Sequence, residues 1–184
     1  MTTESERITR KTRIDPHLKA AGWKIIPYTE GMDLSQSNRC ALEEFPTANG
    51  PADYALCLDG KIVALIEAKK VSLGPQNVLT QAERYATGIS KSPYNFSGFR
   101  VPFIYSTNGE IIWYHDLRNS QNRSRIIAEF HTPDALLERL RDTFESSCQR
   151  LSDWENTHPM IRPYQADANA AIEQAIRDRK RQML

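Results

Sequence analysis

Two near-continuous apolar runs stand out along the chain. Residues 53–58, DYALCL, and 61–68, KIVALIEA, are joined by Asp59-Gly60. Short runs rich in Val, Ile and Leu around such a dipeptide predict a β-hairpin. VPFIYSTNGEIIWYHD (101–116) predicts a second hairpin across Asn108-Gly109, and IIAEF (126–130) a further strand. WKIIPY (23–28) reads as a short edge strand. EEFPTANGP (43–51) reads as a loop leading into the first hairpin.

Helical spacing governs the remaining segments. In residues 4–21, Ile8, Ile14 and Leu18 fall near one stripe. Gly22 is a natural stop, and Pro16 should kink or restart the helix. Residues 75–89 predict a helix with Pro75 in its first turn and Gly88 near its end. Residues 132–148 predict another, with Thr132 as N-cap and Leu136, Leu137, Leu140 and Phe144 on one face. A linker, SDWENTHPMIRP (152–163), precedes a last helix after Pro163. The order helix, strands, helix, strands, helix predicts an α/β domain, bordering on α+β, with a mixed sheet flanked by helices.

Composition narrows the class. The 184 residues fit one compact domain with attached tails. A net charge of +1 gives no global argument for nucleic acid, so any basic surface must be local. Cys40, Cys57 and Cys148 form no CxxC pair, which disfavours zinc and a disulfide framework and favours a reducing cytoplasm. No run approaches the ~18 apolar residues that span a bilayer, so no membrane association is expected.

The candidate chemistry lies at the charged strand ends. Glu67 and Lys69 are two apart on one strand and share a face, and Asp53 on the preceding strand can come beside them. Burying two carboxylates and an ammonium for stability alone is unfavourable, because desolvation can exceed the Coulomb gain. A divalent cation resolves the repulsion, and Mg²⁺ binds through one or two carboxylates plus water and phosphate. A phosphodiester would then be the substrate, with Lys69 offsetting charge in the transition state. Taken alone, Glu-x-Lys is more often a solvated salt bridge.

Strand geometry constrains this site. With a plain two-residue turn, Asp53 would pair with Ile66 and point away from Glu67. The register must therefore shift by one. A three-residue loop Asp59-Gly60-Lys61 with a bulge, or a bend at Asp53, would do it. Gln81 and Tyr85 share a helix face and could contact phosphate. Glu6 could supply another carboxylate, or be an ordinary N-terminal helix acid.

Asp53, Glu67-Ala68-Lys69 and Gln81-x-x-x-Tyr85 together resemble the PD-(D/E)XK nucleases, and more closely the N-terminal nuclease region of the motor (R) subunit of Type I restriction enzymes. The opening Glu6, Thr9, Arg10, Ile14, Asp15, Gly22 and Trp23 resembles that subunit's first pattern. RPYQADANAAIEQAI resembles the start of its helicase-like motor, with Arg162, Tyr164 and Gln165 similar to the adenine-recognition motif. The resemblance implies a restriction-endonuclease-like fold over residues 1–150, and a linker with the first motor helix over 151–184. It implies Asp53, Glu67 and Lys69 as the catalytic trio, and Asp53, Glu67 and Glu6 as the metal carboxylates. Gln81 and Tyr85 would position DNA, and Lys70, Arg84 and Lys91 are candidate phosphate contacts. It further implies double-stranded DNA and the methylation and specificity subunits as partners, with ATP used only by the full-length subunit. The pattern departs in two respects: Pro51-Ala52-Asp53 stands for Pro-Asp, and GxxxxGK[ST] does not occur. The expectation is a fragment that does not itself hydrolyse ATP. The competing reading is a nuclease-like module that only binds DNA or docks the motor.

Overall fold

The structure, a computed structural model, describes residues 6–69, 79–153 and 159–178. A seven-stranded mixed sheet carries the fold, with its strands in chain order: β1 (Lys24–Pro27), β2 (Cys40–Thr47), β3 (Gly50–Leu58), β4 (Lys61–Ala68), β5 (Phe103–Thr107), β6 (Ile112–Asp116) and β7 (Arg125–Ile127). The β1–β2 and β4–β5 pairs are parallel and the other four antiparallel. The helices are α1 (Glu6–Thr9), α2 (Asp15–Ala20), α3 (Leu79–Thr87), α4 (Pro133–Arg141), α5 (Phe144–Asp153) and α6 (Pro163–Arg177). The chain divides into two compact units, Met1–Leu137 and Glu138–Leu184.

Both faces of the central strands are buried, which explains their continuous apolar sequence. One face packs Cys40, Leu42, Ala55, Leu65 and Ile104 against Ala82, Tyr85 and Ala86 of α3. Tyr54, on the other face, donates its hydroxyl to Asp15 Oδ1 of α2 at 2.6 Å. Ile14, Leu18 and Trp23 are buried in the same N-terminal region.

The first helix is interrupted as its proline requires. Residues Arg10–Ile14 form a π turn between α1 and α2, closed by the Asp15 amide donating to the Arg10 carbonyl. Pro16 has no amide to give, and the wider turn relieves the helix just before it. Gly22 ends α2 at φ +90°, with Trp23 N bonding Leu18 O and Gly22 N bonding Lys19 O. That paired closure is the usual glycine helix stop.

Three expectations need correction. Residues 43–51 are not a loop: they form the end of β2 and its turn into β3. The helix expected over 132–148 breaks at Asp142-Thr143, where Thr143 Oγ1 accepts from Ser146 N and caps α5. The β3–β4 turn has two residues, not three: Asp59 (φ +47°) and Gly60 (φ +74°) lie between the paired Leu58 and Lys61. Two positive φ values are the signature of a type I′ turn, whose twist suits a hairpin.

Candidate active site

The register shift demanded by the chemistry is present, but in the strand rather than the turn. Cys57 pairs with Ile62, whereas Leu56 pairs with Ala64, so Val63 is a surplus residue on β4. This β-bulge advances all later pairings by one. Tyr54 then stands opposite Ile66, and the next position on each strand is Asp53 and Glu67.

The neighbouring ladder is distorted as well. Leu42 and Phe45, and likewise Ala52 and Ala55, join one core cluster although each pair is three residues apart. Strict alternation would put them on opposite faces. The break falls at Glu44 and Asp53, between the pairs Glu43–Tyr54 and Phe45–Ala52 of β2 and β3. Glu44 adopts φ +54°, a left-handed conformation uncommon for a side-chain-bearing residue and unusual within a strand. Local strain of this kind gathers at functional sites.

Both oxygens of Asp53 are engaged. Oδ2 accepts the Ala68 amide at 2.7 Å, and Oδ1 accepts Arg10 Nη1 at 2.9 Å. Burial pushes the Asp53 carboxyl above its ordinary pKa and Glu44 adds to the rise, while Ala68 N–H, Arg10 and Lys69 oppose it. The same Arg10 nitrogen lies 2.5 Å from Glu44 Oε1. Burial works against the Arg10 charge, but the Glu44 hydrogen bond and the field of Asp53 outweigh it and raise its pKa. Glu67 is buried, and its Oε1 accepts from Lys69 Nζ at 2.8 Å.

The next residue along the π turn holds it to the sheet. Lys11 Nζ bonds Glu43 Oε1 and lies 3.2 Å from Asp15 Oδ2. The Glu43 hydrogen bond is the main reason the Lys11 pKa is raised. Two polar atoms here are buried with no hydrogen-bond partner among the described residues: Thr9 Oγ1 and Arg10 Nε.

On α3, Gln81 Nε2 donates to the Tyr85 hydroxyl at 2.8 Å, so the expected pair is joined. The Tyr85 ring packs on Gly50, where an added Cβ would lie 3.4 Å from Cε1. The turn after β2 ties to the same helix: Asn49 Nδ2 donates to Arg84 O at 2.6 Å, and Ala48 N to Gly88 O at 2.8 Å. Of the candidate phosphate contacts, Arg84 is exposed and donates to Asn49 O, and Lys91 is exposed in the segment after α3. Lys70 and the Glu6 side chain lie outside the described residues. Arg162 precedes α6, its amide bonded to Gln165 Oε1 at 3.0 Å, and Tyr164 is exposed.

Among the described residues, no group of three or more His, Cys, Asp and Glu could by itself hold a metal ion. The site offers two carboxylates on adjacent strands, a lysine held by one and an arginine by the other. That donor set suits a hard divalent cation that keeps much of its water.

Residues 21–140 match the family model described as the second domain of the Type I restriction enzyme EcoKI endonuclease subunit. The chain belongs to the Type I restriction endonuclease-subunit family. It is 30% identical over 216 residues to the EcoKI endonuclease subunit of Escherichia coli K12, an alignment covering 89% of this chain and 18% of that protein. A solved fragment of an HsdR subunit of a type I restriction enzyme from Vibrio vulnificus YJ016 shares the fold, with a TM-score of 0.55 and 20% identity. The match covers 96% of this chain and 33% of the Vibrio chain. The motif resemblance to the Type I R subunit therefore holds, as does the α/β class with a mixed sheet.

Two residues at the candidate site carry no role in the sequence pattern. Arg10 belongs to the opening pattern, in which Glu6 alone draws chemistry. Glu44 sat inside a segment read as loop. Arg10 has no distinguishing signal in the sequence, since it stands among Arg7, Lys11 and Arg13. For Glu44 the left-handed backbone has no sequence signal.

Proposed function

We propose that this chain is the magnesium-dependent endodeoxyribonuclease region of a Type I restriction subunit, hydrolysing DNA phosphodiesters without strong sequence preference. The observation that carries the reading is the Val63 bulge, which aligns Asp53 with the strand position of Glu67. A stabilising hairpin has no use for this shift, since it brings a second carboxylate toward the buried Glu67.

Asp53 and Glu67 would hold the cation. When bound, magnesium lowers the pKa of water and draws charge from phosphoryl oxygens. The Ala68 amide fixes the Asp53 carboxylate through Oδ2. Lys69 is oriented by Glu67 and brings positive charge to the phosphate as negative charge builds in the transition state. Gln81 and Tyr85, locked to each other, present an amide and a phenol for aligning the DNA strand. Lys70, Arg84 and Lys91 would bind backbone phosphates, a contact that weakens with salt and reads no sequence.

Delivery of double-stranded DNA belongs to the rest of the subunit. ATP-driven translocation by the motor, in which Arg162, Tyr164 and Gln165 would contact adenine, brings the duplex to this region. The methylation and specificity subunits supply the recognition site. The test uses the full-length subunit in its complex, with ATP and Mg²⁺. Asp53→Ala, Glu67→Gln and Lys69→Ala should each lower cleavage by on the order of a hundredfold or more, while ATP hydrolysis persists. Equal cleavage by wild type and Asp53→Ala would overturn the proposal.

A further inference from the structure

Arg10 brings a guanidinium to the carboxylate that a metal ion would need. Its Nη1 stands 2.9 Å from Asp53 Oδ1 and 2.5 Å from Glu44 Oε1, and its side chain is only 14% exposed. The remaining Asp53 oxygen is taken by the Ala68 amide. A cation approaching Asp53 Oδ1 therefore meets a resident positive charge.

The surroundings look built for this arginine. The π turn carries it, and Lys11 fastens that turn to Glu43 and Asp15. Asp15 is in turn bonded by Tyr54, the neighbour of Asp53. Glu44 reaches Arg10 from a left-handed backbone, a conformation held only where surrounding contacts impose it. Yet Arg10 Nε and the adjacent Thr9 Oγ1 are buried with no hydrogen-bond partner among the described residues. A purely structural ion pair would satisfy its donors. The unmet capacity lies beside the carboxylate, as expected of a group with a second position or a further partner.

Resting on the proposed metal site, we infer that Arg10 is a built-in counter-ion of Asp53, which a divalent cation must displace to occupy the site. Metal and arginine compete for the same oxygen. Bound metal turns the guanidinium off Asp53, freeing it for a phosphate oxygen with Thr9 beside it. The Asp53 charge is thereby compensated before metal arrives, at the expense of metal affinity. A site that is binding-competent in only a fraction of molecules shows an affinity reduced by that fraction.

The test measures Mn²⁺ affinity of the 184-residue chain from the electron paramagnetic resonance signal of the free ion. Arg10→Met should bind Mn²⁺ about tenfold more tightly than wild type, as if the competent fraction rose from about a tenth to all. Arg39→Met removes a positive charge that bonds Asp134 instead of Asp53, and should change affinity much less. A structure of the wild type with Mn²⁺ should place the metal on Asp53 and the Arg10 guanidinium beyond hydrogen-bonding distance of it. Unchanged or weaker binding by Arg10→Met, equal tightening by Arg39→Met, or Arg10 still on Asp53 beside bound metal would each overturn the inference. Should Arg10→Met not fold, the wild-type structure decides alone. Asp53→Asn separates the two readings. If it binds Mn²⁺ as wild type does, the metal site itself is wrong; if it does not, a failure of Arg10→Met counts against the competition only.

Discussion

Asp53 is a carboxylate kept where its charge is disfavoured. Burial raises its pKa despite the Ala68 amide and Arg10. The sign of the stability effect follows from linkage. Between the unfolded pKa and the raised folded one, the native state holds the proton more tightly than the unfolded chain does. The contribution of Asp53 to stability is therefore largest at low pH and falls as pH rises through the folded value. Asp53→Asn cannot ionise, so at pH 7 it should melt no lower than wild type even as it loses cleavage. Its advantage should shrink in melts taken at progressively lower pH. A large loss of melting temperature at neutral pH would instead make Asp53 a structural anchor. The same trade separates what the sequence makes legible from what it hides. Asp53, Glu67 and Lys69 are conspicuous because charge interrupts apolar runs. Arg10 and Glu44 are not, because each stands among other polar residues and matters only through a contact more than thirty positions away.

The β3–β4 hairpin carries the decisive geometry at the scale of elements. Its turn and its strands were legible, since Asp-Gly between Val- and Leu-rich runs has few other readings. The location of the register shift was not, because a bulge needs no special residue and Val63 looks like any strand valine. Two single-residue changes test it in opposite directions. Deleting Val63 removes the surplus residue and leaves Asp53 opposite Glu67, so cleavage by the full-length complex should persist. Inserting a second residue beside Val63 should abolish it, by carrying Glu67 and Lys69 to the other face. The tip of the hairpin is equally specific. Gly60 sits at φ +74°, and a Cβ there would lie 3.1 Å from Leu34 O and 3.2 Å from Ser35 Cα. Gly60→Ala should destabilise by at least ~1–2 kcal/mol, the usual penalty of a left-handed side-chain residue, read from urea unfolding. Strand β2 is masked in the sequence for a related reason. Glu43, Glu44 and Pro46 spell a loop, but Lys11 and Arg10 neutralise both acids, and Pro46 pairs with Pro51 near the turn.

Across the whole molecule, the mixed sheet and the site around Asp53 lie within Met1–Leu137, and α5 and α6 within Glu138–Leu184. Among the described residues no helix is long and apolar enough to cross a membrane. A chain ending at Asp142 retains α4 and the whole sheet. It should unfold in one cooperative transition by circular dichroism and still bind Mn²⁺ through Asp53. Loss of cooperativity would mean that the second unit contributes to the core. The fold class was readable at this scale because the alternation of helical and strand periods survives local errors. The break at Thr143 and the missed strand shift boundaries without changing the class.

The bulge at Val63 also has a consequence for counting. In a hairpin, facing is a matter of odd and even, and here the interval between the aspartate and the glutamate has the wrong parity for a regular ladder. Any related chain with this interval and a two-residue turn must hide one unpaired residue or kink somewhere between the two acids. A relative one residue shorter would need neither. Tallying that interval gives a way to tell, before any coordinates exist, whether a strand defect is owed and along which stretch to look for it.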